Sequence, residues 1–265
     1  MAEEPKVAWS SGEAYEAYVG RWSRLVAREF LDWLAVPHGA SWLDVGCGTG
    51  ELTKAVLETQ SPSRVVGIDP SEGFIAFARE HMQDNGAEFD VGDAMSLPYD
   101  EAEFDAAVSG LVLNFLPNAG QAIAGMRHVA RRDAPVGAYV WDYAGKMEMM
   151  RHFWDAAVAL DPAAAELDEG KRFPICRPEA LDMLFKSAGL SKVETSAIDI
   201  STTFRDFDDY WTPFLSGQAP APGYCMSLDE ARRAALRGRV RESLPLDGDG
   251  SISLIARAWA VKGTT

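Results

Sequence analysis

Short apolar runs, each closed by glycine or by acidic and small polar residues, alternate with stretches of helical spacing along the first half of the chain. From residue 13 to residue 34, Tyr15, Tyr18, Val19, Trp22, Leu25, Val26, Phe30 and Leu34 recur every three or four positions. This predicts one or two amphipathic helices with a break at Gly20. Strands are then predicted from Ser41 to Val45, Arg64 to Ile68, Ala87 to Val91, Phe104 to Ser109 and Val136 to Asp142. Helices from Glu51, from Ser71 and from Gln121 to Arg131 fall among them. Strand and helix in alternation imply a parallel sheet covered on both faces, because each crossover lays a helix over the sheet. After Asp142 the pattern loosens. Met147 to Leu160 reads as a helix, Asp161 to Arg177 as a loop, and Pro178 to Ala188 as a helix that starts on proline and stops before Gly189. A strand near Val193 to Ile200 follows, then an insertion rich in aromatics, proline and glycine from Phe204 to Gly223. A helix from Leu228 and a last strand from Ile252 to Val261 end the pattern.

Composition narrows the function. With 265 residues, 47% of them hydrophobic, the chain can bury one large core, and it reads as a single domain with insertions. A formal net charge of −15 argues against DNA or RNA as partner, since tracking phosphates needs clustered Lys and Arg. The group Arg232, Arg233, Arg237, Arg239 and Arg241 is flanked by Glu230 and Glu242 and reads as a solvated helix face. Cys47, Cys176 and Cys225 are odd in number and widely spaced, with no metal-ligand spacing, so no metal site is expected and a reducing compartment fits. The start MAEEPK has no apolar segment, and no apolar run approaches the roughly 20 residues that span a bilayer. The expectation is a soluble, cytoplasmic protein that does not associate with membranes.

The chemistry concentrates in Trp42-Leu43-Asp44-Val45-Gly46-Cys47-Gly48-Thr49-Gly50, an apolar strand end, an acid, a glycine-rich turn and a helix start. Glycine there lets a ligand approach the backbone closely. At the end of the second strand stands Asp69, where an acid can accept hydrogen bonds from ribose hydroxyls. The glycines fall as G-C-G-T-G, which departs from the dinucleotide pattern G-x-G-x-x-G, and G-x-x-x-x-G-K-[ST] is absent. A nucleoside-containing ligand with little phosphate is the result. The ordered set D-V-G-C-G-T-G, V-V-G-I-D-P-S, V-G-D-A-M-S-L-P-Y and F-D-A-A-V-S-G-L-V-L-N-F-L resembles the successive motifs of the class I S-adenosylmethionine-dependent methyltransferases. It is most similar to the small-molecule branch that includes ubiquinone and menaquinone biosynthesis. Ala134-Pro135-Val136-Gly137 departs from the Pro-Gly-Gly turn usual there.

The resemblance implies an α/β, Rossmann-like class I methyltransferase fold, with a central mostly parallel sheet, helices on both faces, an N-terminal lid helix and a helical, aromatic cap. Residues 1–38 would be the lid helices, 39–145 the cofactor-binding core, and 146–177 and 203–249 the cap. The cofactor would be S-adenosylmethionine, with S-adenosylhomocysteine as product. Asp44, Gly46, Cys47 and Gly48 would meet its methionine end, although the glycines also suit a plain tight turn. Asp69 would take the ribose hydroxyls, or serve as a turn acid before the next helix. Pro70 would pack on adenine, while Asp93 and Ala94 would bind the adenine ring, Asp93 also fitting a solvent-facing loop. Ser109 would line the sulfonium, or be a buried strand end, and Asn114 and Phe115 follow on the same loop. Tyr18 and Arg21 would hold the cofactor carboxylate, or pack their helix.

In-line methyl displacement needs alignment and water exclusion more than covalent chemistry, so a base is optional. Asp142, Tyr143, His152 and Asp155 are the candidates, His152 being equally a packing histidine, and His38, His81 and His128 are set aside. Phe153, Trp154, Phe173, Phe204, Phe207, Tyr210, Trp211 and Phe214 would cap an apolar or planar small-molecule substrate or pack the cap itself. Cys176 and Cys225 would suit a thiol-binding substrate only if clustered. Three other functions fit less fully: another group transfer at the same site, a non-catalytic cofactor-binding protein, and a nicotinamide-dependent dehydrogenase, which the glycine spacing disfavours. The acceptor atom and the oligomeric state are not encoded in any motif.

Overall fold

A computed structural model describes residues 16–82 and 86–265. Tyr15 and the rest of the expected N-terminal segment before residue 16 lie outside the described residues. A π-helical turn, Glu16–Gly20, leads into α1 (Arg21–Leu34), so the expected break falls at Gly20. Seven strands follow: β1 (Ser41–Val45), β2 (Arg64–Asp69), β3 (Ala87–Val91), β4 (Ala106–Gly110), β5 (Pro135–Trp141), β6 (Ser191–Phe204) and β7 (Ile252–Thr264). The other helices are α2 (Glu51–Thr59), α3 (Glu72–His81), α4 (Ala119–Val129), α5 (Glu148–Leu160), α6 (Glu169–Arg172), α7 (Pro178–Ser187), α8 (Phe207–Trp211), α9 (Pro220–Ser227) and α10 (Glu230–Ser243).

The chain divides into two compact units. The sheet unit takes residues 23–141, 175–198 and 258–265. The sheet runs β3-β2-β1-β4-β5-β7-β6, with β1 to β5 parallel and β7 antiparallel to β5. All five residues of β1 are buried, as a strand covered on both faces requires. Registers such as Asp44 beside Gly67 on one side and Val108 on the other bring the carboxyl ends of β1, β2 and β4 level. Strand order reverses between β1 and β4. That is where ligands bind in open sheets of this kind, outside the strand ends. Phe104, expected inside β4, instead forms an isolated bridge to Ala130, since the pairing with β1 begins only at Ala106. In α1 the buried residues Val26, Ala27, Phe30, Leu31 and Leu34 form the stripe that helical spacing predicts. Next to Val136, Gly137 is closely packed: a Cβ there would lie 2.9 Å from Phe30, whose ring sits 4.9 Å from that of Tyr139.

The helical unit is built, among the described residues, from 16–22, 142–174 and 199–257. The expected loop from Asp161 to Arg177 contains a 3-10 turn, Pro162–Glu166, and α6. Both are too short for helical periodicity to show, and each is started by an aspartate that caps a backbone N–H, Asp161 at Ala163 and Asp168 at Gly170. Aromatic rings form the core: Phe153 and Phe214 stack with centroids 4.5 Å apart, and Tyr18, Tyr210 and Trp211 surround them. The expected cap aromatics Phe153, Trp154, Phe204, Phe207, Tyr210, Trp211 and Phe214 are all buried. Packing is what they do here.

Candidate functional site

At the end of β1 the backbone of Gly46 and Cys47 donates to the carbonyl of Ile68, at 2.7 and 3.1 Å, and the Gly50 N–H donates to Cys47, at 2.8 Å. The chain thus doubles back under the end of β2. Gly46 and Gly48 have φ of +75° and +54°, a region that L side chains enter only at a cost. Their surroundings differ. A Cβ at Gly46 would lie 2.6 Å from the Val112 side chain, whereas one at Gly48 would meet nothing within 4 Å. Gly46 is required by packing, and Gly48 presents an open face.

Two carboxylates flank this turn. Asp44 is 1% exposed, and its Oδ2 accepts from Thr53 Oγ1 at 2.7 Å, with a further bond from the Thr53 backbone. Its Oδ1 is buried and has no hydrogen-bond partner among the described residues. Burial, against the Thr53 hydrogen bonds and aided by nearby Asp69, pushes the Asp44 carboxyl up to about 7. Asp69 accepts from the Gly48 N–H through Oδ2 (3.1 Å) and from the Ser71 N–H through Oδ1 (2.9 Å). Each of its oxygens keeps a lone pair for one more donor. Burial raises its pKa as well, and the two backbone bonds oppose that shift. Ser71, rather than Asp69, caps α3, through a 3.3 Å bond from Phe74 N–H.

The remaining sheet-unit residues are arranged around these. Pro70 is exposed, Asp93 is exposed and accepts from the Met95 N–H at 2.9 Å, and Ala94 is buried beside it. Cys47 is buried among Ile75, Ala78, Met82 and Phe89, with its Sγ donating to the Gly48 carbonyl at 3.9 Å. Ser109 is fully buried and donates to the Val45 carbonyl at 2.8 Å, joining the ends of β4 and β1. Asn114 stands in a 3-10 turn, Leu113–Phe115, with both carboxamide atoms buried and unmatched.

The other expected site residues belong to the helical unit. Arg21 pairs with Asp209 (3.2 Å) and lies 4.5 and 4.8 Å over the Trp22 and Phe204 rings, while its buried Nε and Nη2 have no partner among the described residues. Tyr18 is buried against Phe214. Asp142 caps its own turn, accepting from the Gly145 and Lys146 N–H groups at 3.0 Å. Tyr143 is buried beside Phe173. His152 Nδ1 is 3.2 Å from Ser243 Oγ, and burial lowers its pKa against the pull of Glu148 and Asp155. Cys225, in the helical unit, and Cys176, in the sheet unit, are both buried, and no group of metal-binding side chains occurs among the described residues. Thr53 and Glu169 escape the sequence reading. Glu169 is a buried carboxyl pushed up to about 7 by burial, with Trp154 Nε1 donating to it. Nothing in the spacing marks either, because each is defined by a partner nine or fifteen residues away.

Residues 43–136 match the family model described as methyltransferase domain. The chain is 32% identical over 115 residues to a demethylmenaquinone methyltransferase of Lactobacillus johnsonii, covering 42% of this chain and 47% of that protein. It is 34% identical over 98 residues to a 2-phytyl-1,4-naphtoquinone methyltransferase of Thermosynechococcus vestitus, covering 36% and 44%. It thus spans less than half the length of these curated relatives. In structure it is similar to phosphoethanolamine N-methyltransferase 2 of Haemonchus contortus, solved with S-adenosyl-L-methionine, at TM-score 0.59 and 14% identity, over 95% of this chain and 56% of that one. The likeness establishes the class I Rossmann-like fold.

Proposed function

We propose, from a chain that carries the methyltransferase domain on a class I Rossmann-like sheet, that it transfers a methyl group from S-adenosylmethionine to a small-molecule acceptor. The observation that carries this is the glycine turn of β1, open at Gly48 and flanked by a buried carboxylate oxygen without a partner at Asp44. A buried, unmatched carboxylate oxygen is costly unless a ligand supplies the donor, and the ammonium of an amino acid is such a donor. The residues present therefore fit the group. Asp44 and the backbone of Gly46, Cys47 and Gly48 would hold its methionine end, Asp69 the ribose diol, and Pro70, Asp93 and Ala94 the adenine. Ser109 would hold the β4 end against Val45. When bound, the cofactor supplies an activated methyl group on a cationic sulfur.

What the chain contributes is orientation and exclusion of water, which suffice for an in-line displacement. Where the acceptor loses a proton, we assign it to His152, which burial keeps neutral and so able to accept one. Asp142 and Tyr143 then shape the turn before α5. The quinone-directed relatives suggest an aromatic, oxygen-bearing acceptor for this chain too. No helix among the described residues is long and apolar enough to cross a membrane.

Titration calorimetry with S-adenosylhomocysteine and with NADH tests the cofactor. Binding of the first alone is expected, and binding of NADH instead would overturn the reading. Mass detection of a methyl gain across quinols, phenols and amines tests the transfer. Asp69→Ala is expected to weaken S-adenosylhomocysteine by about 1–3 kcal/mol, through loss of a charged acceptor and loosening of the Gly48 and Ser71 N–H groups it holds. Unchanged affinity would remove Asp69 from the site.

A further inference from the structure

Asn114 is half-buried, and its carboxamide is unusual in the sheet unit. Both its Oδ1 and its Nδ2 are buried without a hydrogen-bond partner among the described residues, so turning the amide over satisfies neither. A carboxamide kept in this state costs the desolvation of a donor and of an acceptor, and a leucine of similar size would avoid both losses. Such a group is explained by a ligand that brings a donor and an acceptor together.

Its place in the fold identifies that ligand. The segment after β4 lies over the glycine turn, since the Val112 side chain fills the space a Cβ at Gly46 would need. Asn114 stands two residues further on, hence within about 7 Å of Val112 along the chain, consecutive Cα atoms being about 3.8 Å apart. β4 is hydrogen-bonded to β1, with Val108 opposite Asp44. Asn114 thus follows β4 by four residues, next to the Val112 segment that packs on the turn, and the unmatched oxygen of Asp44 stands near the end of the neighbouring β1. We propose that Asn114 grips the zwitterionic amino-acid end of the cofactor, its Nδ2 donating to the carboxylate and its Oδ1 accepting from the ammonium that Asp44 also faces. This rests on the cofactor reading above and adds to it a side chain that senses the amino-acid end alone.

The test compares S-adenosylhomocysteine with 5′-methylthioadenosine, which has the nucleoside and the sulfur but no amino-acid end. In Asn114→Leu, S-adenosylhomocysteine affinity is expected to fall at least tenfold while methylthioadenosine binds as in the parent protein. The ligand-free melting temperature is expected to hold or rise, because two unmatched polar atoms are gone. Asn114→Ala, which cannot clash, is expected to show the same split between ligands if the leucine variant fails to fold. Equal loss for both ligands, or loss for neither, would overturn the assignment of Asn114. A folded parent protein that binds neither ligand would instead overturn the cofactor reading.

Discussion

Gly48→Val is expected to abolish S-adenosylhomocysteine binding and leave the protein folded, whereas Gly46→Val is expected to be clearly the less stable of the two, with a lower melting temperature. Both positions require positive φ, where a branched residue costs about 1–3 kcal/mol. A typical stability of about 5–15 kcal/mol absorbs that once. At Gly48 an added Cβ meets no protein atom within 4 Å, so strain is the main cost, and the valine methyl groups extend from it into the open face of the turn. At Gly46 the side chain collides with Val112, a stiff branched residue, adding about 1–3 kcal/mol or more of overpacking at the point where β1, β2 and the segment after β4 meet. Thermal unfolding and calorimetry on the two variants separate the effects. A Gly48→Val protein that binds normally would show that the open face is not where the ligand lies.

The ligand-free protein is expected to lose stability as pH rises from about 4 to 7, the reverse of ordinary acid sensitivity. Asp44 and Glu169 are both pushed up to about 7 by burial, far above the roughly 3.9 and 4.3 of an unfolded chain. Between those limits the native state binds more protons than the unfolded one, so the slope of stability against pH is negative. Asp44 alone accounts for a loss on the order of 3–4 kcal/mol, at about 1.36 kcal/mol per pKa unit. The groups facing Asp44 are Thr53, whose hydrogen bonds lower the pKa, and Asp69, whose charge raises it. For Glu169, the Trp154 hydrogen bond and Arg151 lower it and Asp168 raises it. His152, lowered by burial, opposes the trend below about 6.5. Asp105 and Asp199, held below the usual range, matter only in more acidic solution. Asp44→Asn is expected to flatten the slope and to be the more stable protein at pH 8. Affinity for S-adenosylhomocysteine runs the other way, rising up to tenfold per pH unit below 7, because the ammonium needs Asp44 ionised. Denaturant titrations at pH 4, 5, 6 and 7 would defeat the idea if stability were flat or rising.

The sheet unit was legible because its signals are local. A strand buried on both faces is an unbroken apolar run, and the turn after β1 announces itself by glycines, so β1, β2, β3 and the helices between them fall where the pattern puts them. Asp44 and Asp69 were readable for the same reason, each standing at a strand's last residues. What Asp44 leans on was not: Thr53 is one threonine in a helix, and its role exists only once α2 folds back over the strand end. Val112 is likewise an ordinary apolar residue until the turn brings Gly46 against it. The aromatic stretch from Phe204 onward advertised apolar content but no period, since α8 and α9 are only five and eight residues long. Its rings therefore read equally as a substrate surface and as the core they form. Glu169 looks like a surface acid by sequence and is buried by contacts fifteen residues back.

The unmatched oxygen of Asp44 bears on how long a molecule survives in the cell. A binding site that is electrostatically incomplete until filled makes the empty protein the fragile form, and a ligand at about 100 times its dissociation constant restores about 2.7 kcal/mol. Proteases sample the unfolded fraction, and differences of about 1–2 kcal/mol change abundance several-fold. The amount of this protein should therefore follow the supply of S-adenosylmethionine and its product, falling by degradation when both are scarce. The Asp44→Asn chain, stable when empty, would persist at a constant level through the same starvation.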